Sequence, residues 1–365
     1  MNKSEFNLDK VFGVLLALLV FLMPVFFLPI TTEFFEFNKL MLLTGFSIIL
    51  TVLWIVKIVQ KKGLGVVKSV IDLPLFLFTA VTVLSAIFSL NKDTSIFGSQ
   101  GRWFPSMFSI LVMYVFYYIL TANLKGRGAI KAVVYSLLAG ATASSLVTLF
   151  SYFGMYVGSA SYLKTPSFNT TGSGATASIL AALGAIIAFS SLIYETRISS
   201  KLALVVSIVV NFFLALLIPS SASWAVLVIG GLGILLFSSF DLIKKNGVIL
   251  NMVAGIMLAL TLMVLSPTTR DFIVNENHPQ ELKLSPKQSW IIASSTIRDF
   301  PLLATGPSSF YLNFPRYRAI SMNTGDFWNL NFDKPYNEVF NSVATLGIVG
   351  TIAGVFLAMK MLKTL

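Results

Sequence analysis

Apolar runs of about 17 to 25 residues follow one another along most of this chain, separated by short charged connections. A helix of that length covers the hydrocarbon core of a bilayer. Ten segments fit the pattern: 11–30, 40–56, 73–90, 103–121, 132–153, 175–194, 202–218, 222–240, 247–266 and 339–358. The charge-free stretch from Leu202 to Phe240 is too long for one crossing, and Pro219-Ser220-Ser221 predicts a tight helical hairpin within it. One long polar segment, from about Ser266 to Pro335, interrupts the series. The pattern predicts an all-α polytopic membrane protein of about ten transmembrane helices with one large extracytoplasmic loop containing short helices. Its divisions are 1–265 for the first nine helices, 266–336 for the loop and 337–365 for the last helix.

Lysines and arginines sort the connections into two sets. Lys3 and Lys10, Lys57 to Lys68, Lys125 to Lys131, Arg197 and Lys201, Lys244 and Lys245, and Lys360 and Lys363 fall in every second connection and at both ends. The intervening short connections are poor in both, and the first carries Glu33 and Glu36. By the positive-inside rule both termini are cytoplasmic and the long loop lies outside, in a multi-pass protein of the cytoplasmic (inner) membrane. The first segment has mixed flanking charge, Pro24 within it and no small-residue cleavage site, so it reads as a retained helix. The end at Lys363-Thr364-Leu365, soon after a helix, raises the expectation of a longer chain.

Composition agrees and excludes some chemistry. The chain has 365 residues, of which 56% are hydrophobic and 11% charged, against roughly a quarter charged in a soluble domain. With no cysteine there are no disulfides, thiolate ligands or cysteine nucleophiles, and a single histidine, His278, rules out a histidine-rich metal site. The net charge of +11 resides in the short connections, which argues against nucleic acid as a partner.

The long loop carries the candidate chemistry. Ser285-Pro286-Lys287-Gln288 predicts a helix start, with a serine cap, proline at the first position and a glutamine placed to reach back. Trp290, Ala293, Ile297 and Phe300 follow at helical spacing, and the helix stops at Pro301. Gly306-Pro307-Ser308-Ser309 predicts a turn, and an aromatic and basic stretch from Tyr311 to Ile320 follows. At the start of the last helix Glu338, Asn341, Ser342 and Thr345 make one face polar, as beside a cavity. Arg102, Arg298, Arg316 and Arg318 suit bidentate contacts to phosphate; they equally suit lipid headgroups or ion pairs with Asp299, Asp326 or Asp333. Glu338 is a candidate general base or a carboxylate favoured by the helix dipole. His278 reads as an exposed histidine without a role. Tyr336 and Trp328 suit interfacial anchoring, and Gly350 with Gly354 suits close helix packing.

The segment LSPKQSWIIASSTIRDFPLLATGPSSF at Leu284–Phe310, then Phe314-Pro315-Arg316-Tyr317-Arg318, Asn323, Phe327-Trp328 and KPYNEVFNSVATLGIVG at Lys334–Gly350, resembles the signature region of the O-antigen ligase superfamily, here 266–350. Ser167 to Ser173 resembles an asparagine-rich loop of that family, and Gly98 to Arg102 another arginine position. The resemblance implies a helical membrane glycosyltransferase, usually of about twelve spans. It would move a glycan from undecaprenyl pyrophosphate, the lipid-linked donor, to a lipid, protein or polysaccharide acceptor in cell-envelope polysaccharide synthesis. Neither metal nor nucleotide sugar is implied as a cofactor. Arg102, Arg316 and Arg318, with Arg298 in reserve, would hold the pyrophosphate, and Asn337 would lie beside them. The family's histidine position is Tyr336 here; a phenol with a pKa near 10 is a poor base at neutral pH, so base duty falls to Glu338 or elsewhere. Ser220 to Trp224 lacks the arginine of the family's corresponding element. Two other expectations stand beside this one: a transporter or flippase of a lipid-linked glycan, and an inactive glycan-binding relative.

Overall fold

The computed structural model describes residues 5–61, 65, 68–99, 102–158, 160–218, 220–238, 247–265, 282–323 and 328–364. Lys3, Lys62, Pro219, Lys244, Lys245, the beginning of the long loop with His278, and Asp326 and Phe327 lie outside the described residues.

Helices account for the regular structure. In chain order they are α1 (Glu5–Val25), α2 (Glu36–Lys61), α3 (Asp72–Ile87), α4 (Lys92–Phe97), α5 (Met107–Asn123), α6 (Arg127–Tyr152), α7 (Gly174–Tyr194), α8 (Ile198–Leu217), α9 (Ser221–Ser238), α10 (Gly247–Leu265), α11 (Pro286–Asp299), α12 (Phe310–Tyr317) and α13 (Glu338–Leu362). Among the described residues there is no β-strand, only an isolated bridge between Ser99 and Arg102. Each expected apolar segment carries a helix. Among the described residues six, in α1, α2, α6, α7, α8 and α13, are long and apolar enough to cross a membrane. The described apolar stretches of α3, α5, α9 and α10 are shorter.

Some boundaries differ from the pattern. α5 begins at Met107 rather than Trp103, because Pro105 precedes it and Ser106 caps it, accepting from the Ser109 N–H at 3.3 Å. The Ser285 cap forms, accepting from Gln288 N at 3.3 Å, but Gln288 Oε1 has no partner, so the box closes on one side only. α11 turns Ser289, Ile292, Ala293 and Thr296 inward against α13, while Trp290 stays 56% exposed beside Phe340.

The chain divides into two compact units: Met1–Phe12, Pro29–Lys125 and Leu282–Leu365 form the first, and Gly13–Leu28 with Gly126–Glu281 the second. In the second unit α7 is central. Its Ala181, Gly184, Ala185 and Ala188 are small and buried, so α6, α8 and α9 approach closely. A Cβ on Gly230 of α9 would lie 2.7 Å from Ile186 Cγ1. α9 packs chiefly on α7 and α10, so the break after α8 separates two helices rather than making the tight hairpin expected. The α7 surface is the better partner because it lacks bulk. Asn211, fully buried, accepts from Ser145 Oγ (2.8 Å) and donates to Thr142 Oγ1 (3.0 Å) and Ser207 O (2.8 Å), which satisfies its amide away from water.

Glu195 closes the turn between α7 and α8. Its Oε2 accepts from Lys131 Nζ (2.8 Å) and Tyr135 Oη (2.6 Å), and its Oε1 from the N–H groups of Thr196 and Arg197, each at 3.1 Å. The Lys131 and Tyr135 bonds hold its carboxyl down to about 2, against the opposing effect of burial. An unfolded glutamate titrates near ~4.3. The stabilisation is therefore complete above that pH and is lost as pH falls from there toward the folded value.

In the first unit the basic connections lie together. Lys57 pairs with Asp9 and donates to Asn123 Oδ1 (3.0 Å), and Lys125 Nζ donates to Gly65 O (3.0 Å). Glu36, at the opposite end of α2, accepts from Lys334 Nζ at 2.8 Å. Within α13, Gly347 takes φ 71° and ψ −165°, a region open essentially to glycine alone. Such a break leaves carbonyls before it and N–H groups after it without helical partners. The segment from Pro301 to Gly306 supplies them. Ile348 N donates to Pro301 O (3.1 Å) and Val349 N to Leu302 O (3.3 Å), while Gly306 N donates to Thr345 O (3.0 Å). Asn313 Nδ2 and Thr305 Oγ1 donate to Ala344 O at 3.0 and 3.2 Å. Ser85 Oγ bonds Leu303 O (2.8 Å) and Ser89 Oγ bonds Thr305 O (2.7 Å), which ties the segment to α3 and its end.

Two outcomes are expected. Glu195→Gln should flatten the acid side of the unfolding profile between about pH 4 and 2, measured by circular dichroism in detergent. Gly347→Ala would put a Cβ 2.4 Å from Leu302 O at a positive φ, and should cost at least about 2 kcal/mol of stability. Gly354→Ala, whose Cβ would meet Phe78 only at 3.6 Å, should unfold near the wild-type temperature.

Candidate functional site

The last helix builds the site. Asn337 caps it, accepting from Phe340 N at 2.9 Å, and Glu338 follows with Oε2 held by Asn341 Nδ2 at 2.8 Å. A cavity of about 400 Å³ runs along α13 from Glu338 to Ala358, walled by Phe78 and Thr82 of α3 and Ile110 and Met113 of α5. Twenty residues of helix rise about 30 Å, roughly the thickness of a bilayer's hydrocarbon. Its threonines turn their hydroxyls to the backbone: Thr82 to Phe78 O (2.9 Å), Thr345 to Asn341 O and Thr351 to Gly347 O (both 2.7 Å). Below Ser342 the walls are thereby largely apolar. Gly354 has no side chain to fill the groove, and the expected tight glycine packing is not made there: the nearest side chain to its Cβ position is Phe78. The polar face read from Glu338, Asn341, Ser342 and Thr345 is the upper wall of this cavity.

A smaller cavity, of about 10 Å³, adjoins the groove, sharing Phe104, Pro105 and Asn341 with it, and is termed the mouth. Room of that size takes about one water. Arg102, Lys334, Asp333 and Ser308 line it. Arg102 Nη1 pairs with Asp333 Oδ2, and Lys334 with Glu36. All four side chains are between 37% and 44% exposed, so the pairs sit at a wet surface where each contributes only about 0–1 kcal/mol. The Arg102 loop is fixed from both sides. Gly98, at φ 97°, lies so close that a Cβ would come 2.4 Å from Arg102 O, and Trp103 packs on Phe37, Phe97 and Phe108 at 5.3 to 5.9 Å between ring centres. Ser308 takes φ 59°, an unusual conformation for a residue with a side chain, and its Oγ is buried without a hydrogen-bond partner.

The other predicted residues lie elsewhere on the unit. Arg298 Nε reaches Asp299 Oδ1 (3.3 Å), and Asp299 Oδ2 accepts from Tyr317 Oη (2.8 Å). That bond from Tyr317 holds the Asp299 carboxyl below the usual range. Burial, then the same bond, pushes the Tyr317 phenol up. Arg316 lies over the Phe300 and Tyr317 rings at 5.5 and 5.3 Å. Arg318 donates to Trp328 O (2.9 Å) and covers Phe314. Tyr336 is 48% exposed and donates its backbone N–H to Ser289 Oγ (2.9 Å). Of the predicted set, Arg102 and Glu338 line the mouth and the groove; Arg298, Arg316, Arg318, Tyr336 and Asn337 line neither cavity. Among the described residues no group of three His, Asp or Glu side chains is placed to hold a metal.

Sequence reading did not single out Ser308 and Lys334 as site residues. The signal for Ser308 was its place in the Gly306-Pro307 turn, and for Lys334 its charge at the edge of an apolar run. No protein-family model matches the chain, and no curated protein matches it.

Ser308→Gly relieves the left-handed backbone, so the variant should unfold at the wild-type temperature or slightly above, by up to about 1 kcal/mol. Thermal unfolding in detergent measures this.

Proposed function

We propose that this chain is a multi-pass glycosyltransferase of the O-antigen ligase type. The observation that carries the reading is the apolar groove along α13 beneath a mouth lined by Arg102 and Lys334. That combination fits an amphiphile with a long hydrocarbon tail and an anionic head, the chemistry of a polyprenyl pyrophosphate-linked glycan. In this reading the four shorter apolar helices also cross the cytoplasmic membrane, both termini are cytoplasmic, and the mouth faces outward. The tail lies against Phe78, Met113 and Gly354, and the pyrophosphate meets Arg102. Glu338 orients the acceptor hydroxyl and takes its proton as the oxygen attacks the anomeric carbon. The bond from that carbon to the phosphate oxygen breaks, and the leaving pyrophosphate stays on its lipid. Arg298, Arg316 and Arg318 extend the basic surface toward the glycan.

Neutralising the leaving group is the larger electrostatic task, so Arg102 should matter more than Glu338. In liposomes with labelled lipid-linked glycan and an acceptor, Arg102→Ala should lower turnover by roughly 10²-fold or more. Glu338→Gln should lower it by a smaller factor. Unchanged turnover in a correctly inserted Arg102→Ala protein would rule the reading out. A discontinuous helix also occurs in transporters, and the break at Gly347 gives the flippase reading its one support. Label crossing the bilayer without product would favour that second reading. Binding of the donor without either event would mark an inactive relative.

A further inference from the structure

We propose that the mouth is a diphosphate site held shut by the chain's own carboxylates, with Asp333 on Arg102, Glu36 on Lys334 and the Ser308 hydroxyl as the spare donor. Among the donors that line the small cavity are Arg102, Lys334 and Ser308, and the first two are occupied by acidic side chains from the same chain. The third, Ser308 Oγ, is buried with nothing to bond. A cavity of about 10 Å³ admits no phosphate. An anionic head therefore enters only when the carboxylates leave.

The exchange is a light one. Both ion pairs are partly exposed, and such pairs hold weakly because water screens them and ordered side chains lose freedom. Asp333 lies in a loop and Glu36 is the first residue of α2, with its Oε2 buried and unbonded, so either carboxylate can turn to solvent without disturbing a helix interior. A diphosphate offers Arg102 two oxygens in one plane and carries more charge than the single carboxylate it replaces. Charges also balance. Arg102 and Lys334 sum to zero with Asp333 and Glu36, and to two positive charges once these swing away. Ser308 then donates to an oxygen that neither cation covers.

That the anion is a lipid-borne diphosphate rests on the function proposed above; that an anion must displace the two carboxylates does not. The test uses the full chain in nanodiscs with two probes, undecaprenyl pyrophosphate and inorganic pyrophosphate, followed by calorimetry. Asp333→Asn and Glu36→Gln should each tighten binding about two- to five-fold, the worth of one exposed ion pair. Lys334→Gln should weaken it about ten-fold or more, and Ser308→Ala about three- to ten-fold. Tightening for the lipid alone assigns the site to a headgroup, and tightening for both probes assigns it to diphosphate in general. Unchanged or weaker binding by Asp333→Asn, with wild-type thermal unfolding, overturns the proposal, as does a failure of wild type and Asp333→Asn to bind either probe. Should transfer activity be missing while Asp333→Asn still tightens binding, the latch stands and the enzyme reading falls. An active transferase with an indifferent Asp333→Asn gives the converse.

Discussion

A helix interrupted within an apolar core must find new partners for every peptide group it gives up, because each one left bare costs about 1–3 kcal/mol or more. That constraint organises the first unit around Gly347. Carbonyls of Ala344 and Thr345 and the N–H groups of Ile348 and Val349 all find partners on the segment from Pro301 to Gly306 or on Asn313. The same segment is anchored from behind by Ser85 and Ser89. Pro307 and Ser308 follow immediately, so the placement of the mouth is inherited from the repair of the helix. So is the upper wall of the groove, where Thr345 and Leu346 end the first half of α13.

This division sets a firm scaffold against a yielding entrance. Buried hydroxyls and amides around Thr305, Ser309 and Asn313 are fully enclosed and mutually bonded, and they have one low-energy arrangement. The charges at the mouth are wet and individually weak. A ligand can rearrange the second set without touching the first. The proposed transfer would use this combination of fixed backbone positions behind mobile counter-ions.

The apolar helices were legible because apolar length is written directly in composition; Lys57, Asp9 and Asn123 meet at the end of α2 away from Glu36. The Ser285 cap and the polar face from Glu338 to Thr345 were legible for the same local reason. The break in α13 was not, since ATLGIVG reads as unbroken apolar helix, and Gly347 is required by its backbone conformation and by the approach of Leu302, neither of which is local to the sequence. α4 and α12 are too short to establish a period, and Pro315 argues against helix in the second. The pairing of Arg102 with Asp333 spans 231 positions, so no local pattern announces it. On α11 the small residues Ser289 and Ala293 lie inward, among the helix's buried residues.

The stitching of Pro301 and Leu302 onto Ile348 and Val349 makes α11 and the lower half of the last helix one mechanical piece. α11 ends at Asp299, with only Phe300 before the first stitch. A load on the α11 surface is thus carried through Phe300 to the groove wall.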